Sequence, residues 1–288
     1  MADLSKSLPD NVPGSFFVDS TCIDCDACRQ VAPRVFAEAS DHSYVHHQPA
    51  GEAEEREAYR ALLACPTASI GVRGKNRARD AMEDFPQLIA DGVYYLGFHS
   101  EKSFGASSYF IRHPDGNWMV DSPRYQPHLL KKLEAMGGVR HIFLTHRDDV
   151  ADADRYAEYF GARRIIHERD RSADKNAEEI VRGDEALPYG PDFLVIPTPG
   201  HTRGHMVLLY RERFLFSGDH LWFSGKTGRL GASRTACWYD WGTQTKSMEK
   251  LLARDFEWIL PGHGRRGRLA PMEMKKQLTE LVSSMSSS

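Results

Sequence analysis

No apolar run in this 288-residue chain approaches the ~20 residues that a helix needs to span a bilayer, which sets aside a helical membrane protein. An excess of positive charge is also missing. Lys and Arg number 37 against 40 Asp and Glu, a formal net charge of −3, so the basic footprint of a nucleic-acid binder is absent. The opening stretch MADLSKSLPDNVPGS has no apolar signal core. The cytoplasm is the expected location, and a plastid-stroma protein numbered from its mature end would read the same way. Cysteine is scarce: Cys22, Cys25, Cys28, Cys65 and Cys237, with three of the five crowded together. An odd, clustered set makes a poor disulfide framework and fits a thiolate metal site in a reducing compartment. Internal repeats are lacking. What is present is ordinary for a folded protein, 41% hydrophobic and 27% charged, and the length suits one large domain or two unequal ones.

The order of elements favours two parts. Residues 1–80 are short, Cys- and His-containing and rich in turn formers, with helices expected over Ala27–Ala37 and Glu52–Leu63. The charged run Arg73–Phe85 lacks a repeating apolar face and reads as a linker. Residues 88–288 alternate strands such as "GVYYLGF", "HIFLTH", "FLVIPTP" and "RFLFSGD" with helices such as "YQPHLLKKLEAMGG", "ADADRYAEYFGA" and "TQTKSMEKLLARD". "HPDG" is a tight turn between two strands. The tail "SSMSSS" is expected to be disordered.

"CIDCDACRQVAPRVF" spaces Cys22, Cys25 and Cys28 as Cys-x2-Cys-x2-Cys, and "ACPTASI" adds a distant Cys-Pro at Cys65. One short loop of thiolates can reach several corners of a compact cluster, and soft thiolates select iron–sulfur or zinc. Zinc sites favour paired Cys-x2-Cys units, which this is not. In the bacterial ferredoxin run C-x2-C-x2-C-x3-C-P, the fourth cysteine serves a second cluster. Here Ala32 stands in its place before Pro33. The segment from Phe16 to Val72 therefore resembles a single-cluster bacterial-type ferredoxin, which implies a [4Fe–4S] cluster on Cys22, Cys25, Cys28 and Cys65. Cys237 is left over and reads as a small buried apolar residue.

Four stretches each place a metal-binding side chain just after an apolar strand: "THRDD" (His146, Asp148), "PTPGHTRGH" (His201), "FSGDHLW" (Asp219) and "LPGHG" (His263). Strand ends hold several ligands rigidly, so these could converge. In this order and spacing the set is similar to the metallo-β-lactamase superfamily, nearest to its glyoxalase II branch. The resemblance covers about residues 88–270. It implies an αββα sandwich with metals at one edge, and so an α+β chain of a ferredoxin-like domain followed by that sandwich. The family loop H-x-H-x-D-H falls here on His146, Asp148, Val150 and Ala151. The resemblance thus implies one site keeping a full complement of donors, His146, Asp148, His201 and Asp219, and a second reduced to His263 and the shared Asp219. Asp149, Asp152 and Asp154 stand close enough in sequence to replace lost ligands by a register change, with a helix expected to begin near Asp149. A solvated acidic helix start is the plainer reading. His205 reads as an internal hydrogen-bonding residue, and His220 as either an orienting neighbour or a bystander. His42, His46 and His47 read as surface residues; "GRRGR" reads as a solvated basic turn, with an anionic-substrate site as the alternative, and "CWYDWG" with Trp222 as loop packing, with a pocket wall as the alternative.

Two imidazoles with two carboxylates suit non-haem iron better than zinc, with zinc as the alternative. The first functional expectation is an oxidoreductase. A [4Fe–4S] cluster, fed by an external electron donor, would serve a non-haem iron that reduces or activates a small-molecule substrate. The flavodiiron branch, which carries a carboxylate at the position of Asp148, implies that class by resemblance. The second is a metal-dependent hydrolase of a thioester or related bond with an accessory cluster. The third is a non-catalytic redox carrier or sensor. No nucleic-acid or membrane partner is expected.

Overall fold

The computed structural model describes residues 2–287. The chain divides into two compact units. One runs to Arg140 and takes in Ala151–Gly161; the other takes His141–Val150 and continues from Ala162.

The first unit opens with β1 (Phe16–Val18), then α1 (Ala27–Val31), β2 (Phe36–Glu38), β3 (Ser43–Val45), α2 (Gly51–Ala64) and β4 (Ile70–Val72). β1 pairs antiparallel with β4, and β2 with β3. The α1 helix is shorter than expected because Pro33 forces the preceding residue out of the helical region; Ala32 sits at φ −135°, ψ 65°. The α2 helix begins with Glu52 and Glu54, which favour a helix N-terminus, and buries Ala58, Tyr59, Ala61, Leu63 and Ala64. Pro66 stops it, so Cys65 becomes its extended C-terminal residue, at φ −56° and ψ 119°. The expected linker contains α3 (Ala78–Met82), whose Ala81 is buried. Asp84 just beyond it is tied to Arg56 and Arg60 of α2. An antiparallel ladder follows: β5 (Gln87–Ala90), β6 (Val93–Tyr95), β7 (Tyr109–Ile111) and β8 (Trp118–Val120). The β7–β8 turn is the expected HPDG, with Gly116 at φ +114°. Helices α4 (Pro127–Ala135) and α5 (Ala153–Phe160) complete the unit.

In the second unit, β9 (His141–Phe143), β10 (Arg163–His167) and β11 (Glu179–Val181) are parallel neighbours. A second sheet runs through β12 (Leu187–Tyr189), β13 (Phe193–Pro197), β14 (Met206–Tyr210) and β15 (Phe214–Gly218), antiparallel at each step. The hairpin β16 (Trp222–Ser224) and β17 (Arg229–Gly231) follows, then α6 (Trp241–Leu251). The second sheet resumes with β18 (Trp258–Pro261), parallel to β15, and β19 (Gly267–Arg268), and the chain closes with α7 (Pro271–Ser286). Met248 and Leu251 of α6 join Met274, Leu278, Val282 and Met285 of α7 in one core with Val207, Leu209, Leu215 and Ile259 of the sheet. The four-residue spacing of Met274, Leu278 and Val282 forms one helical stripe, and burying a side chain of this size stabilises by about 1.5–3 kcal/mol. That stripe carries the helix through Met285, so the tail expected to be disordered is helical through Ser286. The core anchors strands whose C-terminal ends carry the polar residues considered next.

Candidate metal centres

All four clustered cysteines line one cavity of the first unit, with Val18, Ile23, Ala27 and Ile70 as apolar walls. Asp24 and Asp26 take left-handed backbone, at φ 56° and 66°, and turn the loop so that successive cysteines face inward. Short polar side chains tolerate that conformation. Arg29 braces both, 2.6 Å from Asp24 and 2.8 Å from Asp26. Backbone N–H groups aim at sulfur: Ser43 donates to Cys22 Sγ at 3.4 Å and Ser69 to Cys65 Sγ at 3.3 Å. Such donors favour thiolate over thiol. Burial works the other way, raising Cys28 and pushing Cys25 up to about 12. Four sulfurs gathered in one cavity, Cys28 and Cys65 buried and Cys22 and Cys65 met by N–H donors, are stable as thiolates only against a cationic core, which is the seat an iron–sulfur cluster needs.

Two features of this seat lie outside the cysteine segment. Arg124 donates to the carbonyls of Leu63 at 2.6 Å and Cys65 at 2.8 Å, capping α2 where it delivers its cysteine. Gly105 presses on Cys25; a Cβ there would lie 2.8 Å from its Sγ. Spacing alone marks neither residue.

The second centre lies wholly in the second unit. His146 follows β9, His201 follows β13, Asp219 follows β15 and His263 follows β18. Asp219 Oδ2 is 3.7 Å from His146 Nε2, 3.5 Å from His201 Nε2 and 4.0 Å from His263 Nε2. Asp148 Oδ2 is 3.9 Å from His146 Nε2 and 3.7 Å from His201 Nε2. These gaps are long for hydrogen bonds but right for donors around an ion: four ligands at ~2.1 Å in a tetrahedron stand about 3.4 Å apart. His146 Nε2, Asp148 Oδ2, His201 Nε2 and Asp219 Oδ1 are buried and make no hydrogen bond among the described residues. Burial pushes His146 down to about 4, leaving its imidazole neutral and its lone pair available. Burial raises Asp219, but His263, His146 and His201 outweigh it and hold the carboxyl below its usual range. The neighbouring His201 imidazole, 3.7 Å away, also holds Asp148 low.

Every expected ligand is therefore in one place. Of the three further aspartates, Asp149 alone joins them; its carboxylate, with Asp219 and His146, forms a second donor group within 4.8 Å. Gly262 permits this, since a Cβ there would meet Asp149 Oδ2 at 2.6 Å and Asp219 Oδ1 at 2.7 Å. The helix expected from Asp149 begins only at Ala153, after a turn that directs Asp149 inward. Asp152 is engaged elsewhere, 2.6 Å from Lys102 and accepting the Tyr125 N–H at 2.8 Å. Asp154 is exposed and accepts the Arg155 N–H at 2.8 Å.

His205 is an internal brace. Its Nδ1 pairs with Thr198 Oγ1 at 2.9 Å, and its Nε2 accepts the Asp219 N–H at 3.3 Å. His220 stacks on it with ring centroids 4.3 Å apart, and burial pushes it down to about 3. Trp222 packs beneath Gly264, next to His263. Asp170 was not singled out by any motif, yet it is buried and joins two ligand loops. It accepts from the Arg147 N–H at 3.2 Å, the Gly204 N–H at 3.1 Å and the Thr202 hydroxyl.

Comparison with known proteins agrees with both halves. A family described as the 4Fe-4S single cluster domain of ferredoxin I matches residues 18–72, and the metallo-beta-lactamase superfamily matches residues 103–263. Among solved structures, a metallo-beta-lactamase from Pontibacter korlensis is 17% identical, with 70% of this chain and 98% of that one aligned and a TM-score of 0.52. VMB-1 is 18% identical over 69% of this chain and 96% of its own, with a TM-score of 0.51. The DIM-1 metallo-beta-lactamase is 15% identical over 68% and 95%, with a TM-score of 0.51. At such identities these likenesses show the fold. The ferredoxin segment implies a [4Fe–4S] cluster, and the second domain implies a metal site.

Proposed function

Because the chain belongs to the metallo-β-lactamase superfamily and carries a single-cluster ferredoxin segment ahead of that domain, we propose that it is an oxidoreductase: a [4Fe–4S] cluster serves a non-haem iron centre that reduces or activates a small molecule. The observation that carries this reading is Asp148, whose Oδ2 faces His146 and His201 at 3.9 and 3.7 Å where the superfamily loop has a histidine. With Asp219 it makes a set of two imidazoles and two carboxylates, the mixed donor type of non-haem iron. Bound iron would supply one-electron chemistry and open coordination positions. The residues around it do the rest. His146 stays neutral through burial. Asp170 and His205 fix the loops and the Asp219 amide, so that donor geometry does not drift. A hydrolase moves no electrons and leaves the cluster without a task in turnover. An external electron donor is part of the proposal.

The test is metal identity after anaerobic purification, followed by reoxidation. Iron beyond the cluster's complement is expected, and dithionite-reduced protein should reoxidise faster with O2 or NO than a His201→Ala variant. Equal rates would argue for a passive second domain. One observation favours a second reading. Asp149 forms a second donor group with His146 and Asp219, and His263 lies 4.0 Å from Asp219, an arrangement that suits two-metal hydrolysis. Zinc in place of the extra iron, together with thioester turnover while the cluster stays oxidised, would select it.

A further inference from the structure

Beside the His/Asp centre stand two of the largest exposed aromatic side chains, Trp238 at 63% and Tyr239 at 47% exposure. Their segment is not loose. The Trp238 and Tyr239 amides both donate to the His201 carbonyl at 3.0 Å. The Asp240 amide donates to the Gly200 carbonyl at 3.0 Å, and Cys237 Sγ donates to the same oxygen at 3.2 Å. The backbone of 237–240 is thereby stitched to the loop that presents His201. The Trp238 ring lies 6.1 Å, centroid to centroid, from the His201 ring. The Arg203 guanidinium sits over Tyr239, 5.0 Å from its centroid. Charge follows the same plan in the sequence. Each histidine of the centre is trailed by an exposed arginine: Arg147 after His146, Arg203 after His201, Arg265 after His263.

We propose that this rim recognises an organic anion with a planar ring, of the aromatic carboxylate class: the ring stacks on Trp238, and the charge is met by Arg203, while Arg147 stays paired with Asp148 at 3.5 Å. This deepens the reading of the centre as one that acts on a small molecule, and rests on it. The inner donors Asp148, Asp149 and Asp219 repel an incoming anion, so arginines on the surrounding loops offset that repulsion for an anionic ligand and would hinder a cation. A diatomic or peroxide substrate needs neither a stacking ring nor a guanidinium. A rigid aromatic held open to solvent by fixed backbone loses little conformational freedom on binding.

The experiment uses the full chain with cluster and metal in place. Calorimetric titration compares 2-naphthoate with 2-naphthylmethanol, which keeps the ring without charge, and with acetate, which keeps the charge without the ring. Naphthoate is expected to bind about tenfold or more tighter than either. Trp238→Ala should weaken naphthoate about tenfold. Arg203→Gln should bring naphthoate down to the level of the alcohol and leave the alcohol unchanged. Neither side chain donates to the metal, so both variants should keep the parental metal content. Naphthoate binding no better than the alcohol or acetate overturns the proposal, as does unchanged naphthoate binding in both variants. So does a Trp238→Ala variant whose only change is a lower oligomeric mass. The oxidoreductase reading fails separately, on metal identity, whatever these titrations give.

Discussion

Replacing Gly105 with alanine is expected to unseat the iron–sulfur cluster and leave the His/Asp centre loaded. The backbone there has φ +85°, and the new Cβ would fall 2.8 Å from both Cβ and Sγ of Cys25 and 3.2 Å from Cγ of Pro66. A side chain in left-handed backbone costs about 1–2 kcal/mol. Forcing a methyl into a filled contact costs typically about 1–3 kcal/mol. The loop has little freedom to swing away. The Gly105 amide donates to Ser100 O at 2.8 Å, and its carbonyl accepts from His99 Nδ1 at 2.5 Å, buried bonds whose loss costs about 1 kcal/mol or more each. Cys25 therefore has to move, and it is a cluster ligand under the reading above. Gly74→Ala is the control. It has nearly the same φ, +86°, with nothing within 4 Å of the added carbon, so it carries the backbone cost alone. The assay is iron and sulfide content with visible absorbance after anaerobic purification, alongside the thermal midpoint. Full iron and sulfide in Gly105→Ala, with a midpoint equal to that of Gly74→Ala, would refute the claim that this glycine closes the cluster seat.

Asp148→Ala should lose the non-cluster iron while Asp149→Asn keeps it, measured by metal analysis of anaerobic protein; the reverse pattern would assign the ion to the Asp149 group. Asp170→Asn should weaken metal binding about 10–100-fold in a chelator competition without touching the cluster, because it loosens two ligand loops and supplies no donor. Metal-stripped protein should lose stability as pH falls from about 6.5, where an unfolded histidine titrates, toward about 4, where burial has placed His146. In that window the unfolded chain binds a proton that the folded chain refuses, so stability rises with pH, by on the order of 3 kcal/mol across it. A flat thermal midpoint between those pH values would contradict a buried neutral His146.

Local features survived the passage from sequence to structure better than distant ones. Cys22, Cys25, Cys28 and Cys65 were legible because their spacing and the helix-ending Pro66 are written within short stretches. His146, His201, Asp219 and His263 were legible because each follows an apolar strand, and the C-terminal ends of these strands, drawn from two sheets, meet in space. Asp149 was ambiguous. Helical periodicity would carry it outward with an acidic helix start, and only the turn over Arg147 and Asp148 shows that the helix waits until Ala153. The expected first helix runs past Pro33, whereas α1 ends at Val31 because the same proline that belongs to the cysteine motif also drives Ala32 out of the helical region. Asp170, Arg124 and Gly105 had no sequence signal. Their partners lie far along the chain, and no spacing encodes a contact made by the fold.

If the proposed oxidoreductase reading holds, the carboxylates give a reason for the His/Asp centre and the ferredoxin segment to share one chain. Asp148, Asp149 and Asp219 place three acidic side chains about the buried, neutral imidazole of His146 and the buried His201. Two like charges about 4 Å apart repel by about 4 kcal/mol at an effective dielectric near 20, so such a group is comfortable only around a cation. The more positive the ion, the better the balance. A metal that can rise from the divalent to the trivalent state is stabilised in its oxidised form by these oxygens more than a fixed divalent ion is. Stabilising the oxidised form lowers the reduction potential, and a low-potential acceptor needs a low-potential donor to refill it. Iron–sulfur clusters reach that range, with potentials set by burial and by hydrogen bonds to sulfur of the kind Ser43 and Ser69 supply. Under the proposed oxidoreductase reading, a carboxylate at Asp148 and a cluster domain on the same chain would answer one electrostatic requirement, in which the acidity of the pocket sets the reducing power its donor must have.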